Sequence, residues 1–268
     1  MAVKTDDEEF PCDYAAFKRY MLLKSLHGSS IAPDVRMELE MRYNGKYAGV
    51  ELVNLELGAF LFSGENENIL KENEEIFNLS EKACAKLIIS RCIQLRDELE
   101  PTHFNFVLAA AFLKESIFHF VQKYKCFRML YIVDFCLDVL CDRMFREIFE
   151  TKEVYDQLQL FCCEFIEHNM SDSKKGELQK SAEGKYLKDF FKERLRVTDD
   201  NFSFTEKEEE CFDKCYSVEG IAVLEDWPIS DETEKAADDY FDARHYYPSD
   251  CETCGSKCSD YLNYIRLL

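Results

Sequence analysis

The chain has 268 residues and a formal net charge of −20, and it is long enough for one sizeable core or two small ones. The negative charge argues against nucleic acid as a partner, because phosphate binding needs a cationic surface, and it leaves room for basic protein partners. No uninterrupted run of about 18 apolar residues occurs, so the sequence predicts no membrane span.

Cysteine usage and the first residues predict the compartment. Met1–Glu9 is acidic and lacks a hydrophobic core, so no secretory signal is expected. The chain carries 13 cysteines, and an odd number in a chain without a signal predicts reduced, buried thiols in a cytoplasmic or nuclear protein. Six of them lie in apolar helical patterns: Cys84, Cys92, Cys136, Cys141, Cys162 and Cys163.

Residues 2–26 predict a short hairpin followed by a helix. Val3 begins a brief strand, and Phe10 lies on its return. Apolar residues at helical spacing then continue up to Gly28. These are Phe17, Tyr20, Met21 and Leu23–Leu26.

The next segment has the pattern of an inserted β-hairpin. Arg36–Tyr43 alternates polar and apolar residues, which is the period of a strand, and Asn44-Gly45 is a strong two-residue hairpin signal. Ala48–Leu57 predicts the second strand, and Ala59–Phe62 predicts part of a third. A charged loop is expected over Gly64–Glu75.

A short strand and a helix are expected over residues 76–95. The strand is Ile76–Leu79, and Ser80 is the predicted N-cap of the helix. The buried face of that helix is predicted to hold four apolar residues: Ala83, Leu87, Ile88 and Cys92.

Residues 103–149 are almost continuously apolar, which predicts helices buried on several faces. The helical runs are Phe104–Leu113, Ile117–Lys123 and Met129–Phe149. An amphipathic helix, Val154–Ile166, follows.

Gly184–Tyr216 predicts two short helices with a polar break at Thr198–Asn201. Thr205 stands three residues before Glu208, a capping box that places a helix start near Glu206. Apolar faces on such helices are typical of a platform for a partner helix, and the plain alternative is a helical hairpin that closes the core. The apolar stripe of the first helix holds Tyr186, Leu187, Phe190, Phe191, Leu195 and Val197.

The order of residues in this stretch resembles the C-terminal helices of the Skp adaptor family, the subunits that join F-box proteins to a cullin in SCF ubiquitin ligases. The matching pieces are Gly184-Lys185, Phe190–Lys192, Val197, Asp200 and Phe204–Glu209. The family's closing tryptophan is missing, since Tyr216 or Val218 falls there. Two further blocks, residues 2–27 and 76–146, resemble the hairpin and helices of the Skp and elongin C proteins in family order.

The resemblance implies an α/β (α+β) fold of the BTB/POZ type, with a small sheet flanked by helices and C-terminal platform helices. It divides the chain into four parts: a body at 1–149 with an inserted hairpin at about 29–72, an inserted helix and loop at 150–183, F-box-binding helices at 184–216, and an acidic tail rich in Cys and Tyr at 217–268.

The implied function is that of a non-enzymatic adaptor, which bridges an F-box protein to a cullin in an SCF-type ligase. The cullin-facing residue is Phe112 in one register of the match and Tyr124 with Phe127 in the other. The alternative is a BTB-like assembly protein that self-associates or binds other partners. The implied F-box contacts are Phe190, Phe191, Leu195, Val197, Phe204, Phe212 and Tyr216.

The tail offers a candidate zinc site, because Cys and His pairs a few residues apart suit tetrahedral coordination. Such a zinc would pin the tail rather than catalyse, and the alternative is a set of free thiols. No nucleophile with a base or phosphate loop stands out, so the sequence predicts no enzyme. The candidate ligands are His245, Cys251, Cys254 and Cys258.

Overall fold

A computed structural model describes residues 14–26, 46–96, 102–124, 126–169, 180–197, 202–215 and 254. Within those ranges 88% of the residues are helical and there is no strand. The α-helices, in chain order, are α1 Tyr14–Lys24, α2 Ala48–Leu57, α3 Ser63–Glu72, α4 Glu74–Leu79, α5 Glu81–Gln94, α6 Thr102–Tyr124, α7 Arg128–Leu140, α8 Lys152–Asn169, α9 Ala182–Arg196 and α10 Glu206–Cys215.

Two breaks in helical geometry connect these elements. A π-helical turn, Gly58–Phe62, joins α2 to α3. After α7, the chain passes through a second π-helical turn, Cys141–Phe145, and a 3₁₀ turn, Arg146–Phe149, before α8.

The predicted α/β fold with a BTB-type sheet is therefore wrong for the described part of the chain. The predicted strand Ala48–Leu57 is helix α2, Ala59–Phe62 lies in the first π-helical turn, and Ile76–Leu79 lies in α4. The predicted charged loop Gly64–Glu75 is mostly helix α3. The predicted strand at 36–43 and the Asn-Gly hairpin, like the predicted hairpin at residues 3–10, fall outside the described residues.

The error at α2 has a simple physical cause. Its apolar residues are so dense that both a two-residue and a 3.6-residue period fit them. In the structure Val50, Val53 and Leu57 are buried, whereas Leu52 and Leu55 are exposed. That spacing is the one-sided pattern of a helix lying on a core.

Other predictions from local pattern are confirmed. Helix α1 covers the predicted apolar run, and α8 covers the predicted amphipathic segment. Ser80 caps α5, since the backbone N–H of Ala83 donates to its hydroxyl over 3.2 Å. Ile88 and Cys92 are buried on α5 as predicted, whereas Leu87 is only half-buried.

Helix α6 lies at the centre of the body, with α2, α3, α5 and α7 packed around it. By length and composition it could cross a membrane, but most of it is buried inside the body, as expected of a core helix. Close packing is visible at Gly58, where an added Cβ would lie 2.7 Å from Cγ of Glu115 on α6.

A buried ion pair ties α1 to α7. Nζ of Lys18 lies 2.8 Å from Oδ1 of Asp134, whose side chain is fully buried, and 2.9 Å from Oδ2 of Asp138. Burial acts to lower the pKa of Lys18, but the two carboxylates outweigh it and raise that pKa above its ordinary value. The ammonium therefore stays charged and neutralises Asp134.

Replacing Lys18 tests this tie. Lys18→Met leaves the Asp134 carboxylate buried without its cation, so the free energy of unfolding should fall by roughly 3–5 kcal/mol. Urea denaturation followed by circular dichroism measures the change. The double variant Lys18→Met/Asp134→Leu should recover most of the loss, because it removes the uncompensated charge. A double variant no more stable than the single one would contradict this account.

Candidate protein-binding site

Helix α9 is capped at one end and held by a distant arginine at the other. The hydroxyl of Ser181 accepts a hydrogen bond from the N–H of Gly184 over 2.8 Å. At the C-terminal end, Arg91 of α5 donates to the carbonyl oxygens of Leu195 and Val197. The last carbonyl groups of a helix have no N–H partner within the helix itself. The guanidinium of Arg91 supplies donors for them and so stabilises the C-terminal end of α9.

One side of α9 enters the core. Phe191 and Leu195 are 2% and 1% exposed. Phe191 packs edge-on against Phe62 of the first π-helical turn, with ring centroids 6.5 Å apart. Lys192 adds an ion pair to Glu65 of α3, at 3.0 Å. Both contacts fix the rotation of α9 about its own axis.

The other side of α9 presents aromatic and apolar surface, which we call the α9 face: Tyr186, Phe190, Arg194 and Val197. Tyr186 is 67% exposed and stacks on Phe190 with ring centroids 6.0 Å apart. The guanidinium of Arg194 lies 4.4 Å from the Phe190 ring centroid, within range of a cation–π contact. Val197, directly after the helix, is 53% exposed.

The capping box predicted for α10 is confirmed in both directions. The N–H of Thr205 donates to Oε2 of Glu208 over 2.8 Å, and the N–H of Glu208 donates to Oγ1 of Thr205 over 3.3 Å. Arg143 reinforces the box, donating from Nε to Oε1 of Glu208 over 2.7 Å and from Nη2 to the carbonyl of Ser203 over 3.1 Å. Helix α10 is thereby fixed to the end of α7.

Two phenylalanines anchor the α10 segment on α7. Phe204 and Phe212 both pack edge-on against Phe135, at centroid distances of 5.3 Å and 4.9 Å. On the rim, Lys82 of α5 pairs with Asp213 at 2.9 Å. This apolar centre with a charged rim resembles a protein interface, but both of its sides belong to this chain.

The residues implied as F-box contacts therefore divide into two groups. Phe190 is half-buried and Val197 is exposed, so both present surface on the α9 face. Four others face the body of this chain, and Tyr216 lies outside the described residues. The four core-facing residues are Phe191, Leu195, Phe204 and Phe212.

The implied cullin-facing residues are also largely enclosed. Phe112 and Phe127 are 1% and 5% exposed, and Tyr124 is half-buried. In both registers of the match, the phenylalanine belongs to the core of this chain.

Only part of the candidate zinc site lies among the described residues, whereas the side chains of nine of the cysteines are described. Of the four proposed zinc ligands, Cys254 is described, and no cluster of three His, Cys, Asp or Glu that could hold a metal occurs among the described residues. Burial raises the pKa of the thiols of Cys84, Cys92 and Cys136, which leaves them as unreactive packing groups at neutral pH. Of the other cysteines predicted to be buried, Cys162 is buried, Cys141 is half-buried and Cys163 is exposed.

Sequence reasoning missed the residues that hold the two helices in place. Arg91 is about a hundred positions from α9, and Arg143 is 65 positions from Glu208. A lone arginine in an apolar helix gives no local signal of its partner. Only the fold brings these groups together.

Comparison of the chain with protein-family models, with curated proteins and with solved structures finds no match.

Glu208 makes α10 sensitive to pH. Burial acts to raise the pKa of Glu208, but hydrogen bonds from Arg143 and Thr205 outweigh it and hold that pKa below its ordinary value. A depressed folded-state pKa means that the stabilisation is present above about pH 4.3, the ordinary value for Glu, and is lost as pH falls through the folded-state pKa.

Glu208→Gln should therefore destabilise the protein by about 1 kcal/mol at pH 7, as expected for a partly exposed pair with good geometry. The difference from the wild type should shrink as the pH falls below about 4.3, the ordinary value for Glu. Urea denaturation at pH 7 and at a series of pH values below about 4.3 checks this, and Asp189→Asn, on the exposed side of α9, is the control for loss of one negative charge. A difference that stays constant with pH would rule out the ionised Glu208 as the cause.

Proposed function

We propose that this chain is a non-enzymatic adaptor that binds a helix of a partner protein on the α9 face. One observation carries the proposal: Tyr186 and Val197 are large apolar side chains left in solvent on a helix that is otherwise fixed to the body. Aromatic residues with a neighbouring arginine are enriched at binding hot spots.

Rigidity favours the same role. The α9 face belongs to a helix whose N-terminus is capped by Ser181 and whose C-terminal carbonyls bind Arg91. The same helix is anchored in the core by the buried side chain of Phe191. A surface whose backbone is already ordered loses little conformational entropy on binding. It suits a partner helix that brings apolar residues at i, i+3, i+4 and i+7 spacing.

Charge indicates which partner helix would suit it. Helix α9 contains five basic and three acidic residues, whereas the chain as a whole carries a net charge of −20. A partner with carboxylates beside its apolar stripe would be attracted to α9 and repelled by most of the remaining surface.

The residue pattern specifies the partner further. Gly184-Lys185, Phe190–Lys192 and Phe204–Glu209 stand in the order found in the F-box-binding helices of the Skp family. We therefore propose an F-box protein as the partner and a cullin as the second protein that it would be joined to. This partner assignment rests on the residue order alone.

Co-purification tests the proposal. The tagged chain and the variant Tyr186→Asp/Val197→Asp are expressed in cells, and the bound proteins are quantified by mass spectrometry. The wild type should enrich F-box proteins, and the variant should retain at least about 30-fold less, because losing a hot-spot contact costs about 2 kcal/mol or more. Both side chains are exposed, so the fold should survive.

Leu160→Asp is the matched control. Leu160 is 59% exposed on α8, outside the α9 face, and the variant should bind as the wild type does. The absence of F-box proteins from the wild-type sample would overturn the partner assignment. Equal losses for Leu160→Asp and for the α9 variant would overturn the assignment of the face.

Self-association is a second candidate, favoured by α2. Leu52 and Leu55 are 39% and 48% exposed and lie one turn apart on the outer side of that helix, which gives an apolar strip suited to a second helix. Under this alternative, light scattering would give the mass of a dimer for the wild type and of a monomer for Leu52→Glu/Leu55→Glu. A wild-type monomer would remove the candidate.

A further inference from the structure

Two cysteines far apart in the sequence meet at the start of α7. Cys126 is 1% exposed in the connection between α6 and α7. Cys254, 128 positions later, is half-buried and packs against the core. The Sγ atoms of the two cysteines are 3.4 Å apart. Neither forms a disulfide in the structure.

We propose that Cys126 and Cys254 form a reversible disulfide that fastens the C-terminal segment to the helical body. The sulphurs are already in contact, and bonding requires them to approach by little more than about 1.3 Å, to the usual S–S length of about 2.05 Å. Small side-chain rotations supply movements of that size.

Access distinguishes Cys254 from the buried cysteines of α5 and α7. Cys84, Cys92 and Cys136 are fully enclosed between α5 and α7, so an oxidant cannot reach them without unfolding. Cys254 is only half-buried, which lets a small disulfide such as oxidised glutathione reach its sulphur.

The position of Cys126 suits the second step of the reaction. The backbone N–H of Arg128 donates to Sγ of Cys126, with N and S 3.5 Å apart, and this contact helps to hold the sulphur beside Cys254.

The exchange balances in two steps. The thiolate of Cys254 attacks oxidised glutathione, forms a mixed disulfide and releases one glutathione thiol. The thiolate of Cys126 then attacks the Cys254 sulphur, forms the protein disulfide and releases the second glutathione thiol. The two protein thiols lose two electrons and two protons, glutathione disulfide takes them up, and excess reduced glutathione reverses both steps.

The bond would join the acidic C-terminal part of the sequence to the body at residue 254. Residues 217–268 contain 12 acidic and 4 basic residues. The crosslink also closes a loop of more than a hundred residues, the range in which chain-entropy models give the largest stabilisation of the folded state.

Peptide mapping of the full-length chain tests the proposal. Samples treated with oxidised glutathione or with a reductant are alkylated, digested without reduction and analysed by mass spectrometry. The oxidised sample should yield a peptide pair joined through Cys126 and Cys254, and the reduced sample should not. The melting temperature should rise by at least about 5 °C on oxidation.

Cys254→Ser is the decisive variant, because a half-buried serine leaves the fold intact. It should remove both the linked peptides and the oxidation-dependent rise in melting temperature. Cys163→Ser, which changes an exposed cysteine on α8, should preserve both.

Three outcomes would overturn the inference. The first is a Cys254 linked mainly to some cysteine other than Cys126. The second is that, after treatment with oxidised glutathione, Cys254 is still alkylated to the same extent as Cys163. The third is stoichiometric zinc in the reduced protein that blocks both thiols and is removed by a chelator, because the sulphurs would then be metal ligands.

Discussion

The burial of α6 on nearly every face is the constraint on which the rest of the fold depends. A helix of 23 residues with so much apolar surface cannot be left in water, and four other helices pack around it. One polar group that it carries inward is not fully compensated. Burial lowers the pKa of Lys114 more than the nearby carboxylates of Glu51 and Glu115 raise it, and its buried Nζ has no hydrogen-bond partner among the described residues.

Three cations join separate elements of this acidic chain. Lys18 joins α1 to α7, and Arg91 joins α5 to the end of α9. Arg143, which is exposed in the second π-helical turn, joins that turn to α10. Arg128 likewise donates to the carbonyl of Phe77 in α4. Guanidinium groups suit this role because their several donors satisfy more than one carbonyl or carboxylate oxygen at once.

Local signals in the sequence were reliable where one interaction decides the structure. The cap at Ser80 and the box between Thr205 and Glu208 each involve residues three apart, so the pattern contains the whole interaction. The strand predicted over Ala48–Leu57 failed because its apolar residues fit both periods, and only packing on α6 and α8 selects the helix. In the candidate site, the sequence pattern predicts surface positions for Phe190 and Val197, and both present surface in the structure. The burial of Phe204 and Phe212 could not be predicted in the same way, because it depends on contact with Phe135, which is far away in the sequence.

The thiol pair and the α9 face rest on different parts of the body. Helix α7 begins beside Cys126, pairs with Lys18 through Asp134 and carries α10 on Phe135. Helix α9 is held separately, by α5 and the first π-helical turn. A disulfide at the start of α7 would therefore stabilise α7, on which α10 packs, more directly than it would stabilise α9 and the α9 face. Oxidation should then act on partner binding mainly through the stability of the body, because Tyr186 lies on α9, which packs on α5 and the first π-helical turn.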